Sequence, residues 1–231
     1  MNEGEVERGG RIVLVPTPIG NLGDITIRAL EVLKTADRIA CEDTRRSGIL
    51  LAHHGISGKS LVSLHEHNEI RKAPELVAAA KAGEVIAFIS DAGMPGVSDP
   101  GYRLVQACLD ADVDFDVLPG SSAVLTALIG SGLPCHAFRF GGFLSVKSGK
   151  RKSAMSSVLE SGETGIFFES PHRILSTLEI LVEIAPEARV CVARELTKKF
   201  ETYHRGTPEE VLAWFKAHGT KGEMVILMNS A

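Results

Sequence analysis

The chain has 231 residues, 44% of them apolar, and 25 basic side chains against 29 acidic ones give a formal charge of -4. That is enough apolar material for one large or two modest cores, and the charge balance excludes a polycation built to coat naked nucleic acid, so any RNA contact has to come from a local basic patch. No apolar run approaches the roughly 18–20 residues of a membrane span, and the start MNEGEVERGG is too polar and acidic for a secretory signal, so a cytoplasmic protein with no membrane partner is expected.

Strand-like and helix-like patterns alternate from RIVLVPTP onwards: ITIRALEVLKTA, DRIACED, LVSLHE, EIRKAPELVAAAKA and VIAFISD form a βαβ series, which predicts parallel strands. Asp99 followed by Pro100 reads as the N-cap and first position of a helix through YRLVQACLDA. DFDVLPG is a further strand, and SSAVLTALIGSG a short helix closed by Gly130 and Gly132. LPCHAFRFGGFLSVKSGKRK breaks this rhythm and marks a domain junction, giving an N-terminal α/β domain with a parallel sheet over 1–136 and a C-terminal α/β domain with a mixed sheet over 137–231. The second contains the strands TGIFFES, ARVCVARE and GEMVILMN, a helix opened by Ser170-Pro171, and a capping box from Thr207 to Glu210.

Cys41, Cys108, Cys135 and Cys191 are scattered, with no Cys-x-x-Cys pair, and His65 and His67 read as loop histidines; no metal site is expected. Three strand ends carry loops of small and rigid residues: Pro16–Asp24, with Pro18 and two glycines; Ser90–Gly101, with three glycines and two prolines around Asp91 and Asp99; and Pro119–Ala123. Open parallel sheets bind ligands at their carboxyl ends. Glycine permits close backbone approach, and Asp91 can accept hydroxyl or ammonium donors. There is no Gly-x-Gly-x-x-Gly and no Walker lysine, which removes the usual support for NAD and ATP.

In this order, TPIGNLGD, EDTR, SDAGMPGVSDPG, PGSSA, FESPHR and ARELTK resemble the tetrapyrrole methylase superfamily, and more closely its ribosomal RNA branch, across residues 11–229. The resemblance implies two α/β domains, a homodimer, and S-adenosylmethionine held in the cleft between the domains. Carried onto this sequence, it puts Pro18, Asp91, Met94, Ser122 and Ala123 near the cofactor, with Phe168 and the ARELTK segment closing over the adenine. The implied reaction is 2′-O-methylation of a cytidine ribose in the decoding centre of 16S rRNA within the small ribosomal subunit.

A sulfonium donor is already activated, so the protein chiefly has to align the reacting atoms, but a ribose hydroxyl needs its proton removed or its developing charge stabilised. The segments EDTR and ARELTK offer the groups for this, with Asp43 and Glu195 as candidate bases between which the residues do not choose. Candidate RNA contacts are Arg28, Arg45, Lys147, Lys150, Arg151, Arg173 and Lys198. Ser145 stands where the family usually has proline after Gly-Phe-Leu, and the family tends to continue some tens of residues beyond this chain's end. Two other readings stay open. One is a precorrin or uroporphyrinogen C-methylase, against which Asp91-Ala92-Gly93-Met94-Pro95 stands where those enzymes resemble Gly-Asp-Pro-Phe; the other is a cofactor-binding regulator without catalysis.

Overall fold

A computed structural model describes residues 9–230, which divide into two compact units, up to Ser121 and from Ser122. The first unit is built from β1 (Arg11–Leu14), α1 (Ile27–Thr35), β2 (Arg38–Cys41), α2 (Thr44–His53), β3 (Ser60–Ser63), α3 (Glu69–Lys81), β4 (Val85–Ile89), α4 (Tyr102–Asp110) and β5 (Phe115–Val117). Its sheet runs β3-β2-β4-β1-β5 and every pairing is parallel, as the βαβ pattern predicts. Alternate side chains point to opposite faces. Ile12, Leu14, Ile86 and Phe88 therefore pack under α3 and α4, while Val13, Val15, Ala87 and Ile89 pack under α1 and α2. Both faces are covered, which is why the strands read as continuous apolar runs.

The second unit contains α5 (Ala123–Ser131), β6 (Phe138–Phe143), α6 (Ser148–Ser161), β7 (Thr164–Glu169), α7 (Ile174–Ile184), β8 (Arg189–Arg194), β9 (Thr202–Gly206), α8 (Pro208–His218) and β10 (Met224–Asn229). Its sheet, in the order β6-β7-β10-β8-β9, is mixed: β6 and β7 are parallel and the other pairings antiparallel. Met224, Ile226 and Met228 of β10 face the core under α6, α7 and α8, and α5 lies against β8, β9 and β10. The division between units falls before the expected 136/137 junction because α5, with Val124, Ala127 and Leu128 buried, packs on the second sheet.

Local expectations fare unevenly. Thr207 and Glu210 form the reciprocal capping box, and Gly132, in the left-handed region at φ 72°, closes α5. The break at LPCHAFRFGGF is in fact β6, with its register shift between Phe140 and Phe143 where the two glycines sit, and β9 was not foreseen in the polar segment TYHRG. Asp99 does not cap α4: the helix starts at Tyr102 with Gly101 as N-cap at φ 135°, and Glu69 from α3 supplies the cap. No helix among the described residues is long and apolar enough to cross a membrane.

Candidate functional site

In the first sheet, the chain leaves β1 towards β2 over one face and leaves β4 towards β5 over the other. Neighbouring strands whose connections diverge in this way open a crevice at their carboxyl ends, the position at which open α/β sheets bind ligands. A cleft of about 190 Å³ lies there, with Thr17, Pro18 and Leu22 from the loop after β1, Ser90 and Asp91 from the loop after β4, and Arg46, Ile49 and Leu50 from α2. Whole small-molecule sites usually occupy roughly 300–1,000 Å³, so this cleft has room for part of a ligand of nucleoside size.

The two loops are joined by backbone. Thr17 and Gly93 exchange both N–H···O bonds at 3.0 Å, and the buried Thr17 hydroxyl donates to the Ser90 carbonyl at 3.2 Å. Gly93 sits at φ 80°, a conformation that side chains disfavour, and a Cβ there would stand 3.2 Å from Ile19 Cγ2. A Cβ on Gly120 would come within 2.5 Å of Pro16 Cβ, so the third loop also depends on glycine to approach the first.

Asp91 is fixed from three directions. Its amide donates to Glu42 Oε2 at 3.3 Å, its Oδ1 accepts from the Asp43 amide at 3.1 Å, and its Oδ2 lies 3.2 Å from Arg46 Nη1. Pro18 is buried and Met94 half-buried in the same pair of loops. Ser122 caps α5 by accepting from the Leu125 amide at 3.4 Å, with Ala123 as the first helical residue. Phe168, on β7 in the second unit, is half-buried between Phe140 and Phe143, ring centroids 5.0 Å and 5.3 Å away.

The two carboxylates read from the sequence as candidate bases are both held as weak bases. Asp43 Oδ2 lies 2.8 Å from Arg45 Nη2, and the hydrogen bonds from Arg45 hold its carboxyl well below the usual range. Glu195 Oε1 accepts from the Glu223 amide at 2.8 Å and from Lys198 at 3.0 Å; the first of these is the main cause of its lowered pKa. The pair with raised proton affinity is different. Burial pushes up the Glu42 carboxyl, and burial followed by the Glu42 charge pushes Asp99 up to about 6. A carboxyl titrating there is matched to proton transfer near neutral pH. Glu42 belongs to the EDTR motif, whereas Asp99 precedes Pro100 in a pattern that has the form of a helix start.

The candidate RNA contacts separate into three groups. Arg28, Arg45, Lys147 and Lys150 are exposed, although Arg45 is engaged by Asp43. Lys198 bridges Glu195 and Glu223 at 3.0 Å and 2.8 Å, and Arg173 pairs with Glu169 at 2.7 Å while donating to the Leu144 carbonyl. Arg151 is a correction: it is only 6% exposed and its guanidinium donates to Thr177 Oγ1 near the buried Glu169, so it is not presented to a phosphate.

The family profile described as Tetrapyrrole (Corrin/Porphyrin) Methylases matches residues 11–212. Ribosomal RNA small subunit methyltransferase I of Escherichia coli O157:H7 is 49% identical over 222 residues, 95% of this chain and 77% of that protein. The protein of the same name from Hydrogenobaculum sp. (strain Y04AAS1) is 46% identical over 222 residues, 95% of each. Among solved structures, the uroporphyrin-III-C-methyltransferase from Thermus thermophilus superposes with a TM-score of 0.65 at 21% identity, covering 95% of this chain and 94% of that one, a likeness of fold. The chain belongs to the tetrapyrrole (corrin/porphyrin) methylase family, in the branch of ribosomal RNA small subunit methyltransferase I.

Proposed function

We propose that this chain is an S-adenosylmethionine-dependent methyltransferase acting on a cytidine ribose 2′-hydroxyl in the decoding centre of 16S rRNA, with the small ribosomal subunit as substrate. It works as a cytoplasmic homodimer. The observation that carries the reading is the fixed Asp91 at the switch-point cleft, in a chain of this branch.

The residues present fit the donor. The apolar wall of Pro18, Leu22, Ile49 and Leu50 suits its uncharged portions, and Asp91 offers a carboxylate for a ribose hydroxyl or the ammonium group. Met94, half-buried in the same loop as Asp91, completes the proposed contacts of this unit. When bound, S-adenosylmethionine supplies an activated methyl group on a sulfonium.

The protein's own tasks are then alignment and proton removal. Joining the loops through Thr17 and Gly93 fixes the cleft before a ligand arrives, which spares ordering entropy at the moment of binding. Asp99, whose proton affinity is raised by burial and then by the nearby Glu42 charge, is the better proton acceptor for the hydroxyl, since Asp43 and Glu195 are committed to cations and amides.

The test is incubation with methyl-labelled S-adenosylmethionine and small subunits that lack their modifications, followed by nuclease mapping. Label on a decoding-centre 2′-oxygen is expected. Cofactor binding without label would overturn the assignment of substrate, and label transferred to a tetrapyrrole carbon would replace it with the C-methylase reading.

A further inference from the structure

The register of the second sheet brings four connections to one of its ends. β6 and β7 are parallel and finish within one residue of each other, with Phe143, the last residue of β6, against Phe168; β10 begins opposite the end of β7, with Met224 against Glu169; β8 ends opposite that start, with Arg194 against Met224; and β9 begins beside it, with Thr202 against Arg194. The segments 144–147, 170–173, 219–223 and 195–201 therefore lie side by side along one edge of the unit. Strands spaced about 4.8 Å apart make that edge roughly 20 Å long.

Three large apolar side chains in or beside these segments are exposed: Phe143 at 63%, Val146 at 78% and Phe200 at 65%. Phe143 rests against Phe168, and Lys199 Nζ sits 5.6 Å above the Phe200 ring. The acidic groups at this end are engaged: Glu169 by Arg173, Glu195 and Glu223 by Lys198, and Glu201 by the Thr197 amide. Lys147, Lys150, Lys199 and Lys221 are exposed, and among the described residues none of the four forms an ion pair. Arg194 holds the Lys221 carbonyl and Arg173 the Leu144 carbonyl, so the segments that carry these groups are anchored.

We propose that this end of the second sheet is a docking face for ribosomal RNA, on which Phe143 and Phe200 stack against unpaired nucleobases while Lys147, Lys150, Lys199 and Lys221 meet phosphates. Aromatic rings set among unpaired cations are the composition by which proteins hold single-stranded nucleic acid. Protein–protein interfaces instead tend to be depleted in lysine, so charge complementarity selects RNA over a second copy of this chain. The inference rests on the ribosomal substrate proposed above and adds the surface that reads it.

The experiment measures methylation of, and binding to, unmodified small subunits by the full chain. Phe143→Ala and Phe200→Ala should each raise the subunit KM about tenfold, the order expected for one lost stack, and Phe200→Ala, which removes no neighbour of Phe168, should leave cofactor affinity unchanged; Phe143→Tyr should restore the wild-type value. Replacing Lys147 and Lys150, or Lys199 and Lys221, by alanine should lower the slope of log affinity against log salt by about one per lysine. Lys34→Ala, in the last turn of α1 in the other unit, should leave that slope unchanged. Alanine variants that bind and methylate like wild type would overturn the proposal. So would variants that lose self-association in sedimentation while the salt slope stays put, because the face would then join two copies. Failure of the wild-type protein to methylate any small subunit would overturn the substrate reading, and this surface with it.

Discussion

Glu69 on α3 holds the start of α4 through Gly101: its Oε1 accepts the Gly101 amide at 2.8 Å and, from the same oxygen, the Arg103 and Leu104 amides at 3.1 Å and 3.2 Å. A helix start leaves its first amides without intrahelical partners, and a carboxylate answers both their hydrogen bonds and the positive end of the helix dipole. Because the cap comes from another helix, Asp99 is left in the site loop beside Glu42. The arrangement ties the 90–101 loop to the core from its far end.

Glu69→Ala should therefore cost about 2–3 kcal/mol, since three amides lose a charge-assisted acceptor in a buried place. Glu69→Gln keeps an acceptor oxygen and should cost about 1 kcal/mol. Urea unfolding of the two variants checks this, and equal midpoints for the alanine variant and wild type would refute the cap.

Asp99 makes a pH prediction with a definite sign. Its folded pKa, about 6, exceeds the ordinary 3.8, so between those values the folded chain binds more protons than the unfolded one. Stability then falls as pH rises through that window. A difference of that size corresponds to nearly 3 kcal/mol, and partial exposure reduces this to about 1–2 kcal/mol. Asp99→Asn should be more stable than wild type at pH 7 by that amount and match it near pH 4. The same variant should lose the lower limb of the pH–rate profile and most of kcat while still binding cofactor, as measured by calorimetry.

Asp91 gives a contrasting case. Its ion pair with Arg46 involves a guanidinium whose side chain is 69% exposed, so the pair adds little to folding. Asp91→Asn should shift the unfolding midpoint by less than about 1 kcal/mol and weaken S-adenosylmethionine binding at least tenfold by calorimetric titration. A large stability loss with unchanged affinity would make Asp91 a brace for the Asp43 amide alone.

How much of this could be read from the sequence depends on the range of the interaction. The parallel sheet was legible because Ile12–Leu14 and Val85–Ile89 are apolar on both faces, and the Thr207 box because its partners stand three residues apart. The cleft loops were legible from their glycines and prolines. What could not be read was long-range competition for local roles. Asp99-Pro100 has the form of a helix start, and nothing nearby says that Glu69, some thirty residues earlier, takes the cap. Arg151 stands in a run of cations, and only the packing of α6 on α7 turns it inward while Lys147 and Lys150 stay in solvent. Asp43 and Glu195 looked like bases because their partners, Arg45 and the Glu223 amide, lower their proton affinity only through geometry.

The inward Arg151 supplies the last prediction. Glu169, with no side-chain exposure, accepts from Thr177 Oγ1 at 2.6 Å, from the Ser170 amide at 2.7 Å and from Arg173 at 2.7 Å, and Arg151 stands 4.0 Å away. Removing one partner of a buried ion pair leaves the other charge uncompensated, at a cost of about 3–5 kcal/mol. Glu169→Ala should lose that much by urea unfolding. Glu169→Gln, which keeps the shape and an acceptor but drops the charge, should lose less. Releasing Arg173 also releases its hold on the Leu144 carbonyl, and with it the segment that carries Val146 and Lys147. The glutamine variant should thus show a raised KM for small subunits at a temperature where it is fully folded. An unchanged KM in the folded glutamine variant would mean that the network stabilises the second unit without positioning its docking face.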